Sequence, residues 1–355
     1  MKRIAVLIVA IAVACAIPAG AQPAAAPAAE ARAVAFLVRE VPRWKAENDC
    51  YSCHNNGDAA RALIAAAARG FTVGAAMDDT LDWLRRPAAW NKNGRSSALD
   101  PQADGRGSAP PKAALVLPGP RPGGIDDKPL ARIQFASALR LAVDNARAPR
   151  DLLGDAAHIV AADQKSDGSW QLDSSQSLGS PATYGTTLAT AAARRTLAAA
   201  ARDDLKPALA KADAWLRAAP ADTVIDAAAV LLAIEQATDA AALTQRERAL
   251  RTLQSGQAPS GGWGPYVNVG PQVFDTALAL LALDELRTKS ALASPVFSGA
   301  QLAQAVSRGR AYLIAQQNDD GSWPETTRPA NQESYAQRIS TTGWALLALL
   351  ATAQP

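Results

Sequence analysis

Two kinds of segment alternate along the chain. One is amphipathic, as in "RGRAYLIAQQ", with apolar positions three and four apart; the other is apolar almost all round, as in "DTALALLALDEL" and "TTGWALLALLA". A helix with one apolar stripe buries one face, whereas a helix apolar on every side must be enclosed by protein. The alternation therefore predicts an outer and an inner layer of helices. Inner-type runs fall near 58–69, 128–146, 181–199, 221–237, 270–287 and 335–353, and outer-type runs near 76–86, 149–163, 203–217, 240–255 and 297–317. The segment "EARAVAFLVREVPRW", 30–44, supplies the outer helix ahead of the first inner run. Six outer–inner hairpins can close into a ring that buries the inner helices on all sides. Abundant Ala and Leu, with few Val and Ile runs, suits one all-α domain better than a sheet.

The connections repeat as well. "QKSDGSW" (Gln164 to Trp170), "QAPSGGW" (Gln257 to Trp263) and "QNDDGSW" (Gln317 to Trp323) align without gaps on Gln-x3-Gly-x-Trp, each between an outer and an inner run. These loops resemble the QW repeats of squalene–hopene cyclases and related prenyltransferase-like proteins, which form α/α toroids. The resemblance covers 128–355 through its loops and 30–86 through helix pattern alone. It implies that the Gln and Trp of each loop tie the end of one outer helix to the start of the next inner one, an architectural role. It also implies a central apolar cavity suited to a hydrophobic or isoprenoid-like small molecule.

Cyclases of this family protonate their substrate with the middle Asp of a D-x-D-D-T-A motif opening an inner helix. The nearest match is "QVFDTA", in which Gln272 stands at the first Asp and Phe274 at the acid. Asp275 then reads as an N-cap. Terpenoid cyclisation ranks last among the functions on that ground, and no catalytic residue is assigned. "DDTLD", 78–82, fits a diphosphate–magnesium pattern, but acidic residues are favoured at any helix N-terminus. Zinc, bound by Asp, Cys and His in protein prenyltransferases of this fold, lacks a convincing ligand set in a chain with two histidines.

Residues 1–21 carry Lys2 and Arg3, an apolar run from Ile4 to Ile17 and the ending "AGA", the pattern of a cleaved signal peptide. Residues 22–355 are then a single exported toroid domain, periplasmic or secreted. Cys15 in "AVAC" departs from a lipoprotein signal, which usually places Leu before the Cys. No mature segment is apolar for long enough to span a membrane. The 36 basic residues, two of them in the leader, face 33 acidic ones, a balance that gives no reason to invoke nucleic acid.

Export leaves Cys50 and Cys53 as thiols in an oxidising compartment, both within "CYSCH". Cys-x-x-Cys-His is the haem c attachment pattern: Cys50 and Cys53 would bond the haem and His54 would ligate the iron. A Cys50–Cys53 disulfide is the competing reading. A second axial ligand is hard to find. Met77, the one mature methionine, lies beyond an intervening inner helix that would carry it about 18 Å away, and His158 sits inside an outer helix. Such a haem would suit small-ligand or redox chemistry, with a redox partner where electrons are passed on. The Pro/Gly-rich stretch 87–127 is too long for an ordinary connection and is expected at the mouth of the barrel, beside "CYSCH". Two functions lead: a haem c protein acting on an isoprenoid-like lipid, or a haem-free toroid that binds a hydrophobic ligand or serves as an interaction scaffold.

Overall fold

The computed structural model describes residues 28–48, 51–92, 128–172, 180–234, 237–289, 296–326, 328 and 334–353. Among them are helices α1 (Ala29–Asn48), α2 (Ala60–Ala68), α3 (Asp78–Leu84), α4 (Lys128–Asp144), α5 (Leu152–Ala161) and α6 (Ser180–Ala200). The second half adds α7 (Lys206–Ala218), α8 (Val224–Ile234), α9 (Ala240–Gly256), α10 (Val273–Lys289), α11 (Gly299–Ala315) and α12 (Tyr335–Ala351). The even-numbered helices pack side by side in the order α2, α4, α6, α8, α10, α12, and α12 returns to α2, so the inner ring is closed. Odd-numbered helices lie outside and brace the inner ones. This is the α/α toroid expected from the alternation.

Composition explains which layer each helix joins. In α8 every residue from Ala227 to Ile234 is buried, as its unbroken apolar sequence requires. In α7, by contrast, only Ala212 and Leu216 are buried, one stripe on a helix of Lys, Asp and Arg. No described helix is long and apolar enough to cross a membrane.

The three Gln-x3-Gly-x-Trp loops share one set of bonds. The Trp170, Trp263 and Trp323 rings are buried, and each indole N–H donates to a carbonyl near the end of the preceding outer helix: Val160, Leu253 and Leu313, at 2.7–2.8 Å. Each Trp backbone N–H donates to a threonine of the next inner helix, Thr190, Thr276 or Thr342. The glutamines act differently from expectation. Gln164, Gln257 and Gln317 donate to the loop's own glycine carbonyl and to a carbonyl of the next outer helix, at Ala208, Ala305 and Ala29. Trp thus joins outer to inner, while Gln joins outer to outer. The loop glycines have φ of +96°, +96° and +91° and lie against the backbone of Lys211, Arg308 and Arg32, where a Cβ would collide.

Ring closure uses the last of these joints. Gln317 reaches the first residue of α1, and Arg310 of α11 pairs with Glu30 at 3.0 Å. At the corner between α7 and α8, which has no such loop, Gln245 of α9 reaches back to the Leu216 and Ala219 carbonyls. The orphan carbonyls of a helix end are satisfied in either case.

Candidate functional site

Every inner helix runs the same way, so the ring has an end made of helix N-termini and an end made of C-termini. The N-terminal end is filled. Tyr184, Phe274 and Trp344 pack against one another with ring centroids 5.3–6.2 Å apart. Beside them Asp58, with no exposure, accepts hydrogen bonds from Tyr184 Oη at 2.6 Å, Ser340 Oγ at 2.7 Å and Gln134 Nε2 at 2.8 Å. Four elements of the ring therefore converge on one carboxylate: the turn before α2, α4, α6 and α12. Burial and the Asp58 charge push the Tyr184 hydroxyl well above its ordinary range, which keeps it a donor.

Phe274, at the position of the family's acid, is one of these packed rings. Asp275 is the third residue of α10 and not its N-cap. It is buried and paired with Arg328 at 2.5 Å, and its second oxygen has no partner among the described residues. Burial outweighs the Arg328 charge and pushes its carboxyl up to about 6. Gln272 lies alongside the same arginine.

The central cavity is at the opposite end from the Gln-x3-Gly-x-Trp loops and from "CYSCH", beside which the mouth was expected. It has a volume of about 310 Å³ and is lined by the C-terminal halves of the inner helices, with Trp344 and Arg61 deepest. Its walls differ. Leu232 of α8, Leu281 of α10, and Leu347 and Leu350 of α12 form an aliphatic side. Arg61 and the helix-ending Arg69 of α2, Arg140 of α4 and Arg195 of α6 form a cationic side, with Asp144 and Glu285 as the lining carboxylates. Arg140 pairs with Asp144 at 2.8 Å and Arg195 with Glu285 at 2.6 Å. Burial, with Arg195 nearby, pulls the Arg140 guanidinium down to about 10. Arg61 lies 4.4 Å above the Trp344 ring and 3.8 Å from Asp58.

The "CYSCH" corner is a separate site. Cys50 lies outside the described residues, as does 93–127 of the long Pro/Gly-rich stretch; its start, Pro87–Lys92, is a short helical turn with Trp90 buried. Cys53 and His54 begin a wide helical turn that runs to Ala59 and is capped by Ser52. Both line a cavity of about 280 Å³ with Trp44, Trp90, Phe135 and the cations Lys128 and Arg132. Cys53 Sγ is 3.5 Å from His54 Nδ1, and His54 Nε2 is 3.4 Å from Gln337 Nε2. Tyr51 stacks on Trp83 at 4.3 Å and donates to Asp79 at 2.8 Å. Burial and Asp79 push its hydroxyl up to about 12. Asn55 and Asn56, which the sequence reading passed over, donate to the Glu40 carbonyl and to Thr80 and so tie the corner to α1 and α3.

The remaining candidates are structural. Met77 is 1% exposed in the core. His158 is half exposed and bonded to Asp204 at 2.7 Å, which raises its pKa. Asp78 and Asp79 occupy the first turn of α3. No cluster of three metal-ligating side chains exists among the described residues. Sequence reasoning missed Asp58, Arg61, Arg140 and Arg195. Their signal was available: each is a charged residue inside a run otherwise apolar enough to demand burial, as in "GDAARALIAAAA", "FASALRLAVD" and "AAARRTLAAA".

Comparison with known proteins follows the same geometry. Residues 222–355 match the family described as squalene-hopene cyclase C-terminal domain. Over 117 residues the chain is 31% identical to the terpene cyclase/mutase ntnI of Nectria sp, a match that takes in 32% of this chain and spans 14% of that relative's length. The type II terpene cyclase MstE of Scytonema, 14% identical, superposes with a TM-score of 0.52 over 91% of this chain and 96% of its own. A variant of MstE in complex with geranylgeranyl dihydroxybenzoate, its substrate, gives 0.53 over the same shares at 14% identity. Another variant, with the product merosterolic acid A, gives 0.50 at 15% identity over 92% of this chain and 97% of that one. At these identities the structural likeness speaks for the fold.

Proposed function

We propose, from the membership of this chain in a squalene-hopene cyclase-like family, that it holds an isoprenoid-like lipid in its central cavity without cyclising it. The observation that carries the reading is the cavity of about 310 Å³ walled by leucines and Trp344, at the small end of the range for ligand sites. The MstE complexes support the ligand class, since that enzyme takes a geranylgeranyl-bearing substrate. Cyclisation needs a strong acid in the cavity, and the position for it holds the packed ring of Phe274. Asp58 is no substitute, because its carboxylate is fully buried, is occupied by Tyr184, Ser340 and Gln134, and does not line the cavity.

Trp344 lines the cavity and reports its occupancy. Titration of the full chain with farnesol and with geranylgeraniol should give a saturable fluorescence change at one lipid per chain. Extraction after prolonged incubation, extended to squalene, should return each lipid unchanged. Absence of saturable binding, or recovery of a cyclised product, would overturn the reading.

A second reading rests on the other cavity. Cys53 and His54 face a space with aromatic walls and two basic residues, a donor set that fits a flat apolar macrocycle with acidic side groups. A covalent haem there would be held by Cys50, Cys53 and His54, and would supply redox or small-ligand chemistry. Trp44, Trp90 and Phe135 would exclude water from its faces, while Lys128 would offset negative charge; Arg132 is already engaged by Asp163 at 2.9 Å. We infer export from residues 1–21, a precondition for haem attachment and for any redox partner outside the cytoplasm. Expression in a periplasm with attachment machinery, followed by haem staining of a denaturing gel, tests this reading. A stained band lost in Cys53→Ala supports it, and an unstained wild-type band rules it out.

A further inference from the structure

The two walls of the central cavity differ in a way that an all-hydrocarbon ligand does not require. Arginines come only from α2, α4 and α6, and the leucine wall is contributed mainly by α8, α10 and α12. Placing a guanidinium against an enclosed cavity is costly unless something takes up its charge and its donors. Arg140 and Arg195 have their acids, Asp144 and Glu285. Arg61 has only a long pair with Asp58, at 3.8 Å, and Arg69 has no ion pair among the described residues.

Arg61 is the informative case. Its side chain is only 16% exposed, and it makes no hydrogen bond among the described residues. Its nearest carboxylate, Asp58, stands at 3.8 Å and already accepts from Tyr184, Ser340 and Gln134. The planar group is instead held 4.4 Å over Trp344, which fixes its orientation. A guanidinium with five N–H donors is thus held in place against the cavity, and none of the five makes a hydrogen bond among the described residues. Arg69 lies two turns further along the same helix, about 12 Å nearer the opening. It is exposed and has no ion pair among the described residues.

Helix-end electrostatics explain only part of this. Cations are favoured where six helix C-termini gather. Arg310 shows that use elsewhere, donating to the Leu349 carbonyl at the end of α12. Arg61 lies inside a helical run that starts at Cys53 and continues through α2, away from either end, so its place is not explained by the dipole.

We infer that the ligand of the central cavity is an anionic amphiphile, an isoprenoid chain bearing a carboxylate or a phosphate. Arg61 receives the anionic group, Arg140 adds positive charge beside it, and the chain lies along Leu232, Leu281, Leu347 and Leu350 towards the opening. Arg69 draws the anion in from solvent. Guanidinium pairs with either oxyanion through paired N–H bonds, so both headgroups satisfy the site. This inference rests on the lipid-binding reading above and adds the headgroup to it.

The test is calorimetric titration of the full chain with three probes sharing one tail: farnesol, farnesoic acid and farnesyl phosphate. At low salt at least one of the two anions should bind about tenfold or more tighter than farnesol, the effect of a charge-assisted hydrogen bond. Which anion is preferred identifies the headgroup. Arg61→Gln should bring the preferred anion to the affinity of farnesol while leaving farnesol unchanged. Arg69→Gln, at an exposed site where folding is not at stake, should lower the association rate of the anion alone and flatten its salt dependence. Equal affinity for all three probes would overturn the inference and leave the lipid-binding reading standing. Binding of none of them would overturn both.

Discussion

The two ends of the inner ring are built from the same six helices and could hardly differ more. At the N-terminal end the Gln-x3-Gly-x-Trp joints, the Asp58 network and the Tyr184–Phe274–Trp344 cluster close the ring, with both oxygens of Asp58 bonded and the three rings in mutual contact. At the C-terminal end the helices leave a cavity of about 310 Å³ lined by an arginine that makes no hydrogen bond among the described residues. One end is closed by side chains meeting across the axis, and the other keeps the space a ligand needs. At the packed end Phe274 contributes a ring to the core at the position where the resemblance to cyclases places the acid.

Substitutions can break that contrast. The largest effect is expected from Trp263→Ala, which empties a fully buried indole site and orphans the Leu253 carbonyl; a loss of ~3–5 kcal/mol should appear in urea unfolding. Asp58→Ala should rank next, at about 3 kcal/mol, because Tyr184, Ser340 and Gln134 lose a shared buried acceptor and Arg61 loses the carboxylate 3.8 Å away. A cost below about 1 kcal/mol for Asp58→Ala would mean that the packed end does not depend on its polar centre.

Gly261→Ala sharpens the same comparison on the backbone. Its φ of +96° alone costs a side chain ~1–2 kcal/mol, and the added Cβ would sit 2.5 Å from the Arg308 carbonyl oxygen. Gly270→Ala nearby meets nothing within 4 Å and should leave the unfolding midpoint within about 0.5 kcal/mol of wild type.

A pH experiment isolates Asp275. Its folded pKa of about 6 lies above the ordinary carboxylate value of 3.8, so the folded state binds this proton more tightly than the unfolded chain. Protonation therefore favours folding: the stabilisation grows as pH falls through about 6, is complete near pH 4, and is absent above pH 6. Asp275→Asn mimics the protonated group. Thermal unfolding should show wild type approaching the variant near pH 4 and falling behind it towards pH 7. A constant gap across that range would mean that the Arg328 pair, and not burial, sets the titration.

The smallest expected effect is at the open end. Arg69→Gln should leave the unfolding free energy within about 0.5 kcal/mol, because the side chain is exposed and has no ion pair among the described residues to lose. A larger loss would show that the cavity wall also holds the ring together.

What could be read from the sequence follows the length scale of each interaction. The hydrophobic pattern placed both layers, and the helix limits 335–351 and 240–256 differ from the pattern by two residues or fewer. The Gln-x3-Gly-x-Trp spacing marked three joints because each joint is mostly local, with Gln and Gly four residues apart in the loop itself. The second bond of each glutamine spans 44, 48 or 288 residues, and nothing in the loop reveals its partner. The same limit applied to the sites. "CYSCH" was legible as a motif, whereas its neighbours Trp44, Trp90 and Phe135 come from three separate stretches.

The sequence by itself determined that this chain forms two layers of helices and closes them with repeated Gln–Trp joints, because helix burial and short loops are written in local spacing. Only the tertiary structure decided which end of the ring stays open. That choice depends on which side chains of distant helices meet across the axis: Asp58, Tyr184, Phe274 and Ser340 fill one end, while Arg61, Arg140 and Arg195 line the cavity at the other. Those residues are far apart in the chain, up to 282 positions for Asp58 and Ser340, so no local spacing records that they meet.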